Sequence, residues 1–415
     1  MVRVASHQAW WRSTAILFGG ATIWCALAFA ARANPQGASV AAGTVTVTAA
    51  GRTLTVNQST NRAIVNWQSF SVGAGETTRI NLPSSLSAIL NRVTGSDPSS
   101  IAGQISSNGQ VYLINPNGIV IGPNGRINTS AFVASTLNIS DTAFMRGGGM
   151  TFRGDSGAGI KVFGKIAAAN GDVVLVAAMV DNQGRITAPN GQAILGAGGQ
   201  FYYVPDGSSD IVIAGPPASG PGSVSNSGVI AAANAQLRAA GNPYAMAVNN
   251  SGLISATSVR QIGGRVVLDG GAGDTTVTGS IAARAATNGG SVTVTGGRVT
   301  VGGNGTIDAS GPTGGGTIRI GGGTRGGDPT VANANATTIA PGARRPAARQ
   351  CHRQRQRWFD RRLEQRPDHI RRRHRGAGRP QRRQWRFGRS LRQHARISRH
   401  IRSDRAARDR RPPSA

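Results

Sequence analysis

The sequence predicts an all-β chain: a right-handed parallel β-helix with an N-terminal cap, ending in a disordered Arg-rich tail. Three observations point there. The 415 residues include 59 glycines and no Gly-X-Y period, where average chains hold ~7% glycine. Apolar runs such as DVVLVAA at 172–178 and RVVLD at 265–269 have strand composition and are bounded by turn residues. A unit of about 20–27 residues recurs along the chain, and internal repetition at such a period marks a solenoid.

From the N-terminus, Arg3 and Arg12 precede an apolar run at 15–31, and Ala31-Arg32-Ala33 supplies a small-residue cleavage site. This predicts a signal peptide over 1–33, cut between Ala33 and Asn34. A transmembrane anchor is the competing reading, because the run approaches the ~20 residues that span a bilayer; the cleavage site favours removal. Residues 34–343 contain neither Cys nor His. Exported chains are free to form disulfides, so their absence suits a chain that crosses a second membrane unfolded. It also removes the thiolate and imidazole groups behind most metal sites and much acid–base catalysis. No metal, no cofactor and no catalytic residue is expected.

The repeat has two elements. Gly263-Gly264-Arg265-Val266, Gly289-Gly290-Ser291-Val292 and Gly315-Gly316-Thr317-Ile318 share the form G-G-x-[VI] and lie 26 residues apart. Asn-x-Gly-x-Ile ends at Ile186, Ile230 and Ile254, with a shortened form at Ile307; Ile166 and Ile281 extend the series. One coil of three short strands and three turns fits this length, with alternate apolar side chains stacked inside. Gly and Asn are expected at the corners, where they tolerate positive φ. A β-sandwich would not need a fixed spacing, and a flexible linker would not need the apolar triplets.

The densest stretch, 61–136, carries N-W-Q-S-F-S-V-G, L-N-R-V-T-G, S-I-A-G-Q-I, S-N-G-Q-V-Y-L-I-N-P-N-G-I and I-N-T-S-A-F-V-A-S-T in that order. In Asn115-Pro116-Asn117-Gly118, Pro116 biases Asn115 towards extended backbone and Asn117-Gly118 forms a tight turn. Alone, that is a good turn and nothing more. Together the elements resemble the secretion domain of two-partner secretion exoproteins, the filamentous haemagglutinin-like adhesins, from about residue 43 to 203. The N-P-N-L element of some members is missing; Asn81-Leu82-Pro83 stands nearby, which points to the other subgroup.

The resemblance implies passage by the general secretory machinery, then recognition by the periplasmic domains of a dedicated outer-membrane β-barrel transporter. It assigns Asn115, Pro116, Asn117 and Gly118 as the secretion motif, shaping a β-helix cap. The expected organisation is a signal peptide at 1–33, the secretion domain at 34–203, repeats at 204–343 and the tail at 344–415. The expected product is a secreted or cell-surface adhesin, not an enzyme, with an unknown host or cell-surface receptor. A truncated stalk of a contact-dependent growth inhibition toxin is the alternative. A β-helical polysaccharide-degrading enzyme is a third reading, disfavoured because 34–343 holds one Glu (Glu76) and eleven scattered Asp. The partial calcium motif Gly270–Asp274 occurs once, whereas such sites need stacked copies, so it reads as a turn, and Asp308 as a corner residue.

The tail holds 26 Arg, no Lys and 5 acidic residues, or +21 of the chain's +29 net charge. Charge alone would suggest a nucleic-acid-binding arm. Arginine without lysine in an exported chain argues against it, and no nucleic-acid partner is expected. No amphipathic pattern supports a membrane-disrupting segment. In a GC-rich gene, Gly and Ala codons read one base out of register become Arg codons. The shifted frame permits a Gly-Gly-rich string whose elements fall about 27 residues apart, near the upstream period. A frameshift near 343–351 is therefore expected, with the native protein continuing as β-helix.

Overall fold

The structure is a computed structural model describing residues 34–341 and 343, apart from 206–210, 243–244, 259–263 and 286–287. The expectations for the signal peptide and the Arg-rich tail lie outside the described residues. Within these, strands wind into three parallel faces. The first runs from Thr53–Gln58 to Thr306–Asp308, the second from Arg62–Trp67 to Thr317–Ile320, and the third from Ser99–Ile101 to Ala336–Ile339. Nine third-face strands stack in chain order. Val72 bridges to Ile101 one coil earlier, so ten coils are described. No helix among the described residues is long and apolar enough to cross a membrane.

The isoleucine series is the spine of the first face. Ile105, Ile127, Ile166, Ile186, Ile230, Ile254, Ile281 and Ile307 are register partners, each paired with the next. All are buried, and each contributes roughly 1.5–3 kcal/mol by leaving water. The 26-residue element behaves likewise on the second face, where Val266, Val292 and Ile318 are partners.

The corners differ from expectation. Among the described residues Arg325 is the one non-glycine at positive φ, and Gly184, Gly228 and Gly252 are not at positive φ. Close approach explains these glycines instead. A Cβ on Gly228 would lie 2.1 Å from the Gly184 carbonyl oxygen, and one on Gly252 2.2 Å from that of Gly228. The asparagines form a buried amide ladder: Asn182 Nδ2 donates to Asn226 Oδ1 and Asn226 Nδ2 to Asn250 Oδ1, both at 2.7 Å. Asn226→Leu leaves the Asn182 amide and the Asn250 oxygen without these partners. Each orphan costs about 1–3 kcal/mol, and a lower urea midpoint is the expected reading.

The cap reverses the chain. Gln36 pairs with Ser69, Ser39–Ala42 with Arg62–Trp67, and Val45–Ala50 with Thr53–Gln58, all antiparallel. Residues 36–50 therefore cover the first coil's backbone edge on the first and second faces and at the corner after them, which would otherwise offer unpaired N–H and C=O groups.

Two coils carry excursions. In the fourth, a short helix, Asp141–Arg146, and a strand, Met150–Arg153, interrupt the winding. In the sixth, Gln200–Tyr203 and Val212–Ile213 complete a three-stranded antiparallel sheet with Met150–Arg153. Phe144, Phe152 and Phe201 pack with Ile64, Leu90, Tyr112, Val174 and Ile194 in a second core. This explains why second-face strands such as Val173–Ala177 are buried at every position. Their continuous apolar runs, unlike the alternation on the first face, reflect a sheet covered on both sides.

Candidate functional site

The family elements of 61–136 meet on adjacent coils. Trp67 is buried beside Phe70, ring centroids 5.6 Å apart, and its Nε1 donates to Asn91 Oδ1 at 3.0 Å. Asn91 Nδ2 reaches on to the Tyr112 carbonyl at 3.2 Å. Thr94 Oγ1 donates to the Trp67 carbonyl at 3.0 Å. N-W-Q-S-F and L-N-R-V-T-G are thus two halves of one inter-coil contact. In S-I-A-G-Q-I, a Cβ on Gly103 would sit 2.2 Å from the Gly73 carbonyl oxygen, so this glycine closes onto that of S-V-G.

The Asn115–Gly118 turn sits at the corner between Gln110–Ile114 and Ile119–Ile121, on the third coil. Asn115 is fully buried. Its Nδ2 donates to the Asp97 carbonyl at 2.9 Å and to Ser99 Oγ at 3.0 Å, while its Oδ1 accepts the Asn117 backbone N–H at 2.9 Å. That last bond is the side-chain turn that asparagine is suited to make. Asn117 Nδ2 donates to the Gly95 carbonyl at 2.8 Å. From the other side, the Asn115 N–H donates to the Ser135 carbonyl at 3.0 Å and Ser156 Oγ to the Pro116 carbonyl at 2.6 Å. Gly118 has φ 111°, which favours glycine. The corner is therefore fastened to the coils before and after it, with Pro116 and Asn117 facing solvent. It shapes an interior coil; the cap that the resemblance associated with it is built from 36–50.

Asn81-Leu82-Pro83 lies at a different corner. Leu82 exchanges two hydrogen bonds with the Asn108 side chain, at 2.8 and 2.7 Å, and Asn81 Nδ2 donates to Asn57 Oδ1 at 2.7 Å. Asn34, expected after the cleavage point, is buried; its Nδ2 donates to the Arg52 carbonyl at 3.3 Å and its Oδ1 accepts from Thr78 at 3.3 Å. The carboxylates considered as ligands have arginine partners. Asp274 Oδ2 lies 3.6 Å from Arg298 Nη1. Burial alone would raise the Asp308 carboxyl, but hydrogen bonds from Arg284 and Ser310 hold it below the ordinary range. Among the described residues no group of three or more His, Cys, Asp or Glu could hold a metal ion.

Residues 31–283 match the TPS secretion domain family. The chain is similar to a heme/hemopexin-binding protein of Haemophilus influenzae, 35% identical over 249 residues that make up 57% of this chain and 27% of that protein. A second heme/hemopexin-binding protein from that species is 35% identical over 107 residues, 25% of this chain and 11% of that protein. The chain thus spans about a quarter or less of these relatives. Among solved structures, the HMW1 secretion domain from Haemophilus influenzae superposes with a TM-score of 0.68 at 33% identity, covering 75% of this chain and 83% of that one. With the stacked coils and the interlocked elements around Asn115, these likenesses identify the chain as a member of the TPS secretion domain family, the exported partner in two-partner secretion.

Proposed function

We propose that the described body is the export signal and first stalk of a β-helical adhesin. In this reading it follows a signal peptide at 1–33 across the inner membrane and is then handed to an outer-membrane β-barrel transporter through that protein's periplasmic domains. The organisation into a secretion domain at 34–203, repeats at 204–343 and a frameshifted tail at 344–415 belongs to the same proposal. The observation that carries it is the Asn115–Gly118 corner, a fully bonded turn presenting Pro116 and Asn117 outward within a family-matched domain.

Folding itself supplies a direction to transport. Each coil that emerges outside buries its isoleucine on the coil before it and completes its backbone hydrogen bonds there. Backsliding would have to undo both. The relatives named for heme/hemopexin binding match this chain over a minor part of their length. The matched stretch beyond the signal region has no His or Cys, two of the common axial haem ligands, so export is the property we carry over.

The test is expression in a Gram-negative host with and without an outer-membrane transporter of the two-partner type. The chain is expected in the medium or on the surface only when the transporter is present. Equal amounts outside the cell in both strains would refute the export assignment.

A further inference from the structure

On the first face, one outward register position carries Arg126, Lys165 and Arg185 on three successive coils. Their backbones stand ~4.8 Å apart, and like charges placed opposite each other on neighbouring strands destabilise a sheet. Gln104 precedes the column and Val229 follows it, so the charge is confined to these coils. All three side chains are exposed. No hydrogen bond or ion pair engages them among the described residues, whereas Arg92, Arg284 and Arg298 each have an aspartate partner. Beside the column runs a second one, Asn128, Ala167 and Thr187. The small Ala167 between two polar neighbours leaves a shallow groove walled by the cations.

We propose that this groove binds a linear acidic polysaccharide lying along the axis of the β-helix, one carboxylate per coil. A polymer of uronic acids carries one carboxylate per sugar ring, and the long, flexible arginine and lysine side chains can reach carboxylates that lie on either side of the polymer axis. Each guanidinium can hold a carboxylate by two parallel hydrogen bonds, and the central ammonium takes the intervening one as a point charge. Asn128 and Thr187 offer hydrogen-bonding groups to sugar hydroxyls on the groove's far side. The straight, single-file column favours a linear polyanion over an acidic protein surface, whose charges are distributed in two dimensions. Binding relieves the mutual repulsion of the three cations, which the unliganded face leaves uncompensated.

The chain contains two lysines, Lys161 and Lys165, and this provides a site-resolved test. Lys161 lies on the third face, in register with Val120 and Asp181, and serves as an internal control. The Arg-rich tail carries no lysine and is invisible to the readout. The secreted chain is acetylated in the presence of polygalacturonate fragments or neutral dextran, and each lysine is followed by mass spectrometry. Polygalacturonate is expected to slow acetylation of Lys165 several-fold and leave Lys161 unchanged; dextran should protect neither. The double variant Arg126→Gln, Arg185→Gln should lose the protection of Lys165. Equal protection of both lysines, no protection of Lys165, or protection that survives the double variant would overturn the assignment. So would protection by the transporter's periplasmic domains without protection by polygalacturonate.

Discussion

Gly228→Ala is expected to destabilise the β-helix by more than about 3 kcal/mol, beyond the usual range for overpacking, read as a lower denaturant midpoint. The added Cβ would lie 2.1 Å from the Gly184 carbonyl oxygen and 2.6 Å from the Gln183 carbonyl carbon. Both obstacles are backbone, so no side chain can rotate away. Relief requires the coils to separate. That lengthens the bonds from Gly228 N–H to the Asn182 carbonyl, 3.0 Å, and from Val229 N–H to the Gly184 carbonyl, 2.8 Å. It also loosens the contact of Ile186 with Ile230 two residues on. The same change at Gly315, where a Cβ meets nothing within 4 Å and φ is not positive, should stay within ~0.5 kcal/mol.

Asn115→Ala is expected to abolish export. It removes both donations to the Asp97 carbonyl and Ser99 Oγ and the acceptor for the Asn117 N–H. Buried groups left without partners cost about 1–3 kcal/mol each, enough to melt the corner locally while the ten-coil core persists. Pro116 and Asn117 would then no longer be held outward. Secreted protein should fall below a tenth of wild type, with the chain retained in the periplasm; that is the effect of losing about 1.4 kcal/mol or more of recognition.

Much of this architecture is legible in the sequence because parallel stacking makes the period visible. Ile166, Ile186, Ile230, Ile254, Ile281 and Ile307 recur since each must fall on the last, and Val266, Val292 and Ile318 repeat for the same reason. The family elements around Asn115 are legible as motifs. Their role was not, because a buried asparagine bonded to two neighbouring loops looks locally like any Asx turn. What the corner residues do is hidden from local turn propensity. Gly228 is fixed by a carbonyl 44 residues earlier in the winding, and Asn226 by amides on two other coils, neither of which local propensity encodes. The excursions are not legible in the sequence, although Ser140, Asp141 and Gly147 are ordinary helix start and stop signals. Six helical residues are too few to show a periodicity. The packing of Phe144, Phe152 and Phe201 over the second face joins segments far apart in the chain.

In the function proposed above, export depends on the corner at Asn115–Gly118 as a recognition element, beyond its contribution to stability. Asn226→Leu removes a buried amide of comparable worth, three coils away and at the opposite end of the third-face strands. The most direct measurement compares the export of Asn115→Ala and Asn226→Leu, with the transporter present and the urea midpoints of both variants determined. Asn115→Ala is expected to stay in the periplasm while Asn226→Leu is exported near the wild-type level despite a similar loss of stability. Equal export of the two variants at equal stability would contradict it.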